Sequence, residues 1–249
     1  MNHATVIRLH QVHKSFGNKK VLDGASFEVL SGETVAILGA SGSGKSVTLK
    51  HVNGLIRPDE GRVEALGHPV SEMPERDLVP VRRRISYLFQ GGALFDSMTV
   101  RENVAFPLRE HLDLDEDALG ERVERLLEMV ELPGIGALMP AELSGGMKKR
   151  VALARALALD PEIILYDEPT TGLDPVTGRT IAALIRGLHE RLGVTSVVVT
   201  HDIPLVRLVA TRVLFLSGGR FIFSGTVDQA AAEAPPEVRA FFETGGDHA

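Results

Sequence analysis

Eight residues in the first fifth of the chain, Gly39-Ala40-Ser41-Gly42-Ser43-Gly44-Lys45-Ser46, restrict what it can fold into more than any other feature. They follow a continuous apolar run, Thr34–Leu38, of the kind found in strands buried on both faces, and a helix is expected from Ser46. Strand, glycine-rich loop and helix in that order make a cradle for phosphate. The glycines let backbone N–H groups approach the anion, and the helix N-terminus adds its dipole. Lys45 supplies a point charge, and the Ser46 hydroxyl can ligate Mg²⁺. Stripped of the flanking strand and helix, the same residues would read as a glycine-rich turn.

Such a loop needs a carboxylate for its metal at the end of another core strand. Ile163-Ile164-Leu165-Tyr166-Asp167-Glu168 offers two. Asp167 would hold Mg²⁺ directly or through its water, and Glu168 could polarise an attacking water. Alone, an apolar strand ending in acid is weak, because many strands end in an Asp that caps the next element.

Short apolar or alternating stretches give way repeatedly to helical periodicity, the α/β signature. Val6–Val12, Ala25–Val29, Gly61–Leu66, Ile85–Phe89, Ile163–Tyr166 and Ser196–Thr200 read as strands, and Val213–Leu216 with Phe221–Phe223 as a hairpin about Gly218-Gly219. Residues 91–159 hold no convincing strand; Leu119, Val123, Leu126, Leu127 and Val130 share one helical face. Pro175–Leu192 is helical, with Pro175 in the first turn. Ala230–Ala232 and Glu237–Phe242 read as short surface helices. No linker or repeat divides the 249 residues, and no apolar run reaches the ~18 residues of a membrane span. Met1-Asn2-His3-Ala4-Thr5 lacks the basic and apolar regions of a signal peptide. A net charge of −6 argues against a general nucleic-acid binder, and the lack of cysteine excludes disulfides and thiol chemistry.

Leu143-Ser144-Gly145-Gly146-Met147, at the start of a helix, together with Gln90, Asp174 and His201, makes the chain resemble an ATP-binding-cassette (ABC) ATPase. The likeness spans nearly the whole chain with its motifs in family order: Walker A at 39–46, Q-loop at Gln90, signature at 143–147, Walker B at 163–168, D-loop around Gly172-Leu173-Asp174, and the switch His201. It implies an α/β fold: a P-loop NTPase core with an inserted helical subdomain and an antiparallel β subdomain. This would be one domain, with core segments 1–90 and 160–225, a helical subdomain at 91–159 and a short tail at 226–249.

What the resemblance implies for function is specific. ATP and Mg²⁺ are the ligands, with Phe16 stacking on adenine, residues 39–46 and Val47 against the nucleotide, and Ser46, Gln90 and Asp167 at the metal. For Phe16 the alternative is a core or edge packing residue. Glu168, Gln90 and His201 would serve hydrolysis. Ser144, Gly145, Gly146 and Asp174 would reach the nucleotide held by a second copy in a head-to-tail dimer; Asp174 also reads as a helix N-cap before Pro175. Met147 departs from the family's more usual Gln. Lys148-Lys149-Arg150 reads either as a solvated helix face or as phosphate steering.

Leu94, Phe95 and Met98 lie in the segment that, in this fold, helps line the permease groove; burial within the helical lobe is the alternative. That segment, with Tyr166–Pro175 and the Leu-Ser-Gly-Gly-Met signature, looks like the ATPase subunit of Mla-type phospholipid transporters. Those bacterial systems pair two ATPase copies with a permease and an MCE-domain protein and maintain outer-membrane lipid asymmetry, which would put this chain on the cytoplasmic face of the inner membrane. An amino-acid, metal or lipoprotein transporter is the nearer rival. A soluble ABC protein acting on ribosomes or DNA is the more distant one.

Overall fold

The computed structural model describes residues 4–245, so Met1–His3 of the expected leader-free start and the end of the 226–249 tail lie outside the described residues. Two sheets share the chain. The first is antiparallel: β1 (Thr5–Phe16) lies between β2 (Lys19–Leu30) and β4 (Glu60–Ala65). The second has six strands in the order β5 (Ile85–Leu88), β6 (Ile163–Asp167), β7 (Thr195–Val199), β3 (Thr34–Leu38), β8 (Arg212–Ser217) and β9 (Arg220–Gly225). All its pairings are parallel except β8 with β9.

The apolar runs are continuous because the central strands are covered twice. Every residue of β3, β6 and β7 is buried. In β6 the side chains alternate between cores: Ile163 and Leu165 pack towards the antiparallel sheet, Ile164 and Tyr166 towards the helices on the other face. The first core also holds Ile7, Leu9, Val29 and Val63, together with Leu49 and Val52 of α1 (Lys45–Val52).

Between 91 and 159 the described chain contains helices and no strand: α3 (Val100–His111), α4 (Glu116–Met129), a 3-10 turn at Pro140–Glu142, and α5 (Gly145–Leu157). Local chemistry starts them. Thr99 and Glu102 form a capping box at α3, with Thr99 Oγ1 accepting from the Glu102 N–H at 3.2 Å and Glu102 returning an acceptor to Thr99 N–H at 2.7 Å. Asp115 caps α4, and Ser144 caps α5. The predicted face Leu119, Val123, Leu126, Leu127 and Val130 is buried. It joins Leu108, Val151, Leu157 and α6 (Pro175–Leu192) in one core with the β6 face.

Two helices have no counterpart in the sequence reading: α2 (Glu75–Arg82) and α7 (Ile203–Val209). Phe89 lies one residue beyond β5 and is exposed. The expectation of surface helices at the C-terminal end needs correction. In α9 (Pro236–Glu243), Val238, Phe241 and Phe242 are buried with Leu38 and Phe215, and the Phe215 and Phe241 rings meet edge to face at 5.3 Å. The preceding α8 (Val227–Ala232) buries Ala230 in the same core.

Candidate active site

The glycine-rich loop begins where β3 ends. At Gly39 the backbone has φ +148°, and a Cβ there would sit 2.3 Å from the carbonyl oxygen of Leu216 in the neighbouring β8, so only glycine fits. Helix α1 starts at Lys45 with no side-chain cap, leaving its first N–H groups directed at the loop. The Ser43 hydroxyl is buried with no hydrogen-bond partner among the described residues. An uncapped helix start beside an orphaned hydroxyl fits an anion and little else. Lys45 is buried and bends back over the loop, its Nζ donating to the carbonyls of Gly39 (2.8 Å) and Ala40 (3.0 Å). Burial pushes its ammonium below the usual lysine range, against the pull of the Glu168 and Asp167 carboxylates.

Asp167, at the end of β6, has both oxygens engaged. Ser46 Oγ donates to Oδ1 at 2.7 Å and the Tyr87 hydroxyl donates to Oδ2 at 2.8 Å. Burial, with Asp167 beside it, raises the Tyr87 phenol well above its ordinary range, so it stays a donor. Tyr87 was not singled out in the sequence; its only signal is its position two residues before Phe89 on the strand that pairs with β6.

Glu168 adopts φ +50°, an uncommon conformation for a residue with a side chain. Its N–H donates to the carbonyl of Val199 at 2.9 Å. Its Oε2 accepts from Thr171 Oγ1 at 3.0 Å and more weakly from Thr200 Oγ1 at 3.5 Å, and Oε1 pairs with His201 Nδ1 at 3.1 Å. Lys149, the middle one of the three cations at 148–150, is buried and donates to the backbone carbonyls of Gln90 and Glu168, which removes the solvated-face alternative at that position. The adjoining Arg150 instead pairs with Glu131 at 3.3 Å.

The phosphate loop, Glu168 and His201 open onto one cleft of about 950 Å³. Phe16, Gly39, Ala40, Ser41, Gly42, Gly44, Lys45, Ser46, Val47, Gln90, Glu168 and His201 all line it, and Lys19, Val21, Thr171 and Phe241 join them. Phe16 is an open ring, 48% exposed, with Lys14 Nζ 5.6 Å from its centroid, so it is not a core residue. Phe241 was missed because α9 was read as surface.

Of the other predicted residues, Ser43 is not in the lining and Asp167 reaches the cleft through Ser46, while Ser144, Gly145, Gly146 and Asp174 do not join it. Ser144 Oγ accepts from the Met147 N–H at 3.2 Å, capping α5. Asp174 accepts from the N–H groups of Val176 and Thr177, both at 3.0 Å, so the helix-cap reading holds. The two loops touch each other: a Cβ on Gly146 would meet Thr177 Cγ2 at 2.5 Å, and one on Gly145 would meet Leu173 at 3.3 Å. Met147 packs against the helical core.

The segment after Gln90 is wound about Asn103, which is fully buried. Its amide accepts from the Phe95 N–H at 2.8 Å and donates to the carbonyls of Phe95, Met98 and Thr99 at 3.0–3.1 Å. Leu94 is partly buried against the helical core, whereas Phe95 is 41% exposed, its ring tilted against that of exposed Phe106 at 5.0 Å and covered on one side by Arg155.

Residues 22–171 match the family model for the ABC transporter. Over 240 residues the chain is 42% identical to the intermembrane phospholipid transport system ATP-binding protein of Escherichia coli K12, covering 96% of this chain and 89% of that one. The methionine import ATP-binding protein of Mesorhizobium japonicum is 39% identical over 236 residues, which are 94% of this chain and 64% of the importer. A solved dimeric ATP-binding cassette in a post-hydrolysis state, bound to ADP and Pi, superposes with a TM-score of 0.82 at 35% identity, covering 89% of this chain and 98% of that one.

Proposed function

The chain belongs to the ABC transporter family as its ATP-hydrolysing subunit, and on that premise we propose that two copies of it power phospholipid transport that maintains outer-membrane lipid asymmetry. One observation carries the mechanistic part of this reading: the phosphate loop, Gln90, Glu168 and His201 face a single cleft, while Ser144, Gly145 and Gly146 of the same chain are absent from its lining. A cleft with one wall missing is what a head-to-tail dimer completes, each signature helix offering its N-terminus to the nucleotide of the other copy.

In this reading the loop N–H groups and Lys45 hold the phosphates, and Phe16 offers a ring face to the adenine. Ser46, Asp167 and Gln90 are a hard oxygen donor set that suits Mg²⁺, and the short Ser46–Asp167 contact already brings two of the three together. Bound there, the ion would offset charge growing on the phosphates. Glu168 takes the proton of the attacking water, with its carboxylate aimed by Thr171, Thr200 and His201. Signature N–H groups from the second copy then steady the charge that spreads over the transferred phosphoryl group. Asp174 would serve both copies, as a cap within its own chain and as a contact across the interface.

None of the described helices is long and apolar enough to cross a membrane. In this reading coupling runs through a permease at the cytoplasmic face of the inner membrane, with Phe95, Leu94 and Met98 at the contact and an MCE-domain protein in the same complex. Exposed Phe95, on a loop held by Asn103, and exposed Phe106 beside it on α3 support that contact. The test is reconstitution with the adjoining permease and MCE-domain protein in proteoliposomes. ATP should drive movement of fluorescent phospholipid, and a clean deletion should leave cells with surface phospholipid and sensitivity to detergent plus chelator. An intact outer membrane with altered amino-acid or metal uptake would overturn the lipid reading and leave the ATPase.

A further inference from the structure

Lys149 is the one member of the Lys148-Lys149-Arg150 run that turns inward, at 7% exposure. It stands on α5, the helix that opens with the signature serine, and reaches two residues of the nucleotide cleft through their main chains. Its Nζ donates to the carbonyl of Gln90 and, at 3.4 Å, to the carbonyl of Glu168. The second contact matters because Glu168 holds φ +50°. A side-chain-bearing residue stays in that region only when its neighbours hold it there. One flanking peptide group is fixed by the Glu168 N–H on Val199, and the other by Lys149. Clamping both fixes the direction of the Cα–Cβ bond, and with it the reach of the carboxylate into the cleft. An ammonium suits the task, being compact and carrying three donors that can serve two carbonyls at once.

We propose that Lys149 is a positioning residue for hydrolysis, holding the main chains of Glu168 and Gln90 in register with the signature helix. It acts through Glu168 and touches no reacting atom. The inference rests on reading Glu168 as the base, and the two fail separately. Wild-type turnover in Glu168→Gln would sink that reading, whereas an inactive Glu168→Gln beside a fully active Lys149→Met would sink only this one.

The test uses the full-length protein, alone and with its permease, and measures kcat, KM for ATP, affinity for a fluorescent ATP analogue, and melting temperature. Lys149→Met keeps the aliphatic stem and deletes the donor. We expect kcat to fall roughly tenfold or more, the range of a mispositioned catalytic group, while KM and analogue affinity stay within about threefold. Lys149→Arg restores donors at similar reach and should recover most of kcat. If Lys149→Met proves too unstable to purify, Lys149→Gln, whose nitrogen ends one bond short, should show the same split between kcat and affinity. Wild-type kcat in the Met or Gln variant overturns the proposal. So does loss of affinity in step with kcat, or failure of Arg to restore turnover.

Discussion

Replacing Glu168 with Gln separates the chemistry of the cleft from its architecture. The carboxylate is mostly buried, with 13% of its side chain exposed, and its oxygens are held by Thr171 at 3.0 Å, Thr200 at 3.5 Å and His201 at 3.1 Å. Gln keeps the shape and one acceptor oxygen. The amide nitrogen that replaces the other oxygen can donate to a threonine hydroxyl, because hydroxyls rotate to accept as readily as they donate. What is lost in the fold is the charge on these bonds, a difference of about 1 kcal/mol. For a domain of this size that moves the melting temperature by roughly 2–4 °C. Removing a general base costs about 10²–10⁴ in rate, which is about 3–5 kcal/mol of barrier. Phosphate release with Mg²⁺ and ATP should therefore fall at least a hundredfold, while a thermal melt hardly shifts and ATP still binds, holding a closed dimer. Turnover near wild type would remove Glu168 from the role of base. A melting temperature lower by ten degrees or more, on the scale of about 3 kcal/mol, would show instead that the residue is structural.

Ser144→Arg obstructs only the site offered to the second copy, so turnover should vanish while monomer ATP binding persists; Lys45→Ala should weaken ATP binding itself. Mixing the two gives heterodimers with one doubly damaged and one intact composite site, and partial recovery of phosphate release checks the trans arrangement, which no recovery would refute. Phe95→Asp puts a carboxylate under Arg155, a change the fold tolerates, so nucleotide binding by the isolated chain should survive while co-purification with the permease fails. Glu33 supports a pH prediction. Burial opposes ionisation there, but Arg212, bonded at 2.6 and 2.9 Å, and the Leu30 N–H hold its carboxyl below the ordinary 4.5. A depressed folded value means the stabilisation is present above 4.5 and is lost as pH falls through the folded value. The melting gap between wild type and Glu33→Gln should be full at about pH 7 and close on acidification; a gap unchanged down to about pH 3 would refute the pairing.

The parallel core could be read directly because burial on both faces leaves β3, β6 and β7 no room for polar residues. Helix α6 announces itself through Asp174 and Pro175 at its start and Gly193, in the left-handed region, at its end. Failures elsewhere have local causes. Strands β1 and β2 run well past the alternating stretches because register shifts between them break the period of two. Helix α2 carries Pro80 inside it, a residue that ordinarily argues against helix, and α7 is a nearly all-apolar turn of seven residues with no polar face to betray a period. Helix α9 was open to better reading: Val238, Phe241 and Phe242 stand at the i, i+3, i+4 spacing of a buried stripe.

Within the site, legibility divides by what a side chain faces. Groups turned towards the nucleotide are restricted in type by the ligand: phosphate demands backbone N–H and an ammonium, and a hard cation demands oxygen. That restriction writes a recognisable pattern into consecutive residues. Tyr87, Asn103 and Lys149 face the protein instead, Tyr87 and Lys149 donating to a carboxylate and main-chain carbonyls far along the chain and Asn103 to carbonyls of its own neighbouring loop. A carbonyl accepts from any well-placed donor, so nothing in the local sequence marks Lys149 apart from Lys148 or Arg150. Only the phase of α5, set by apolar residues such as Val151 and Leu153 that must be buried, turns one of three adjacent cations inward. Substituting Lys149 while sparing its neighbours therefore asks whether a residue invisible to pattern reading governs the reach of one that pattern reading finds at once.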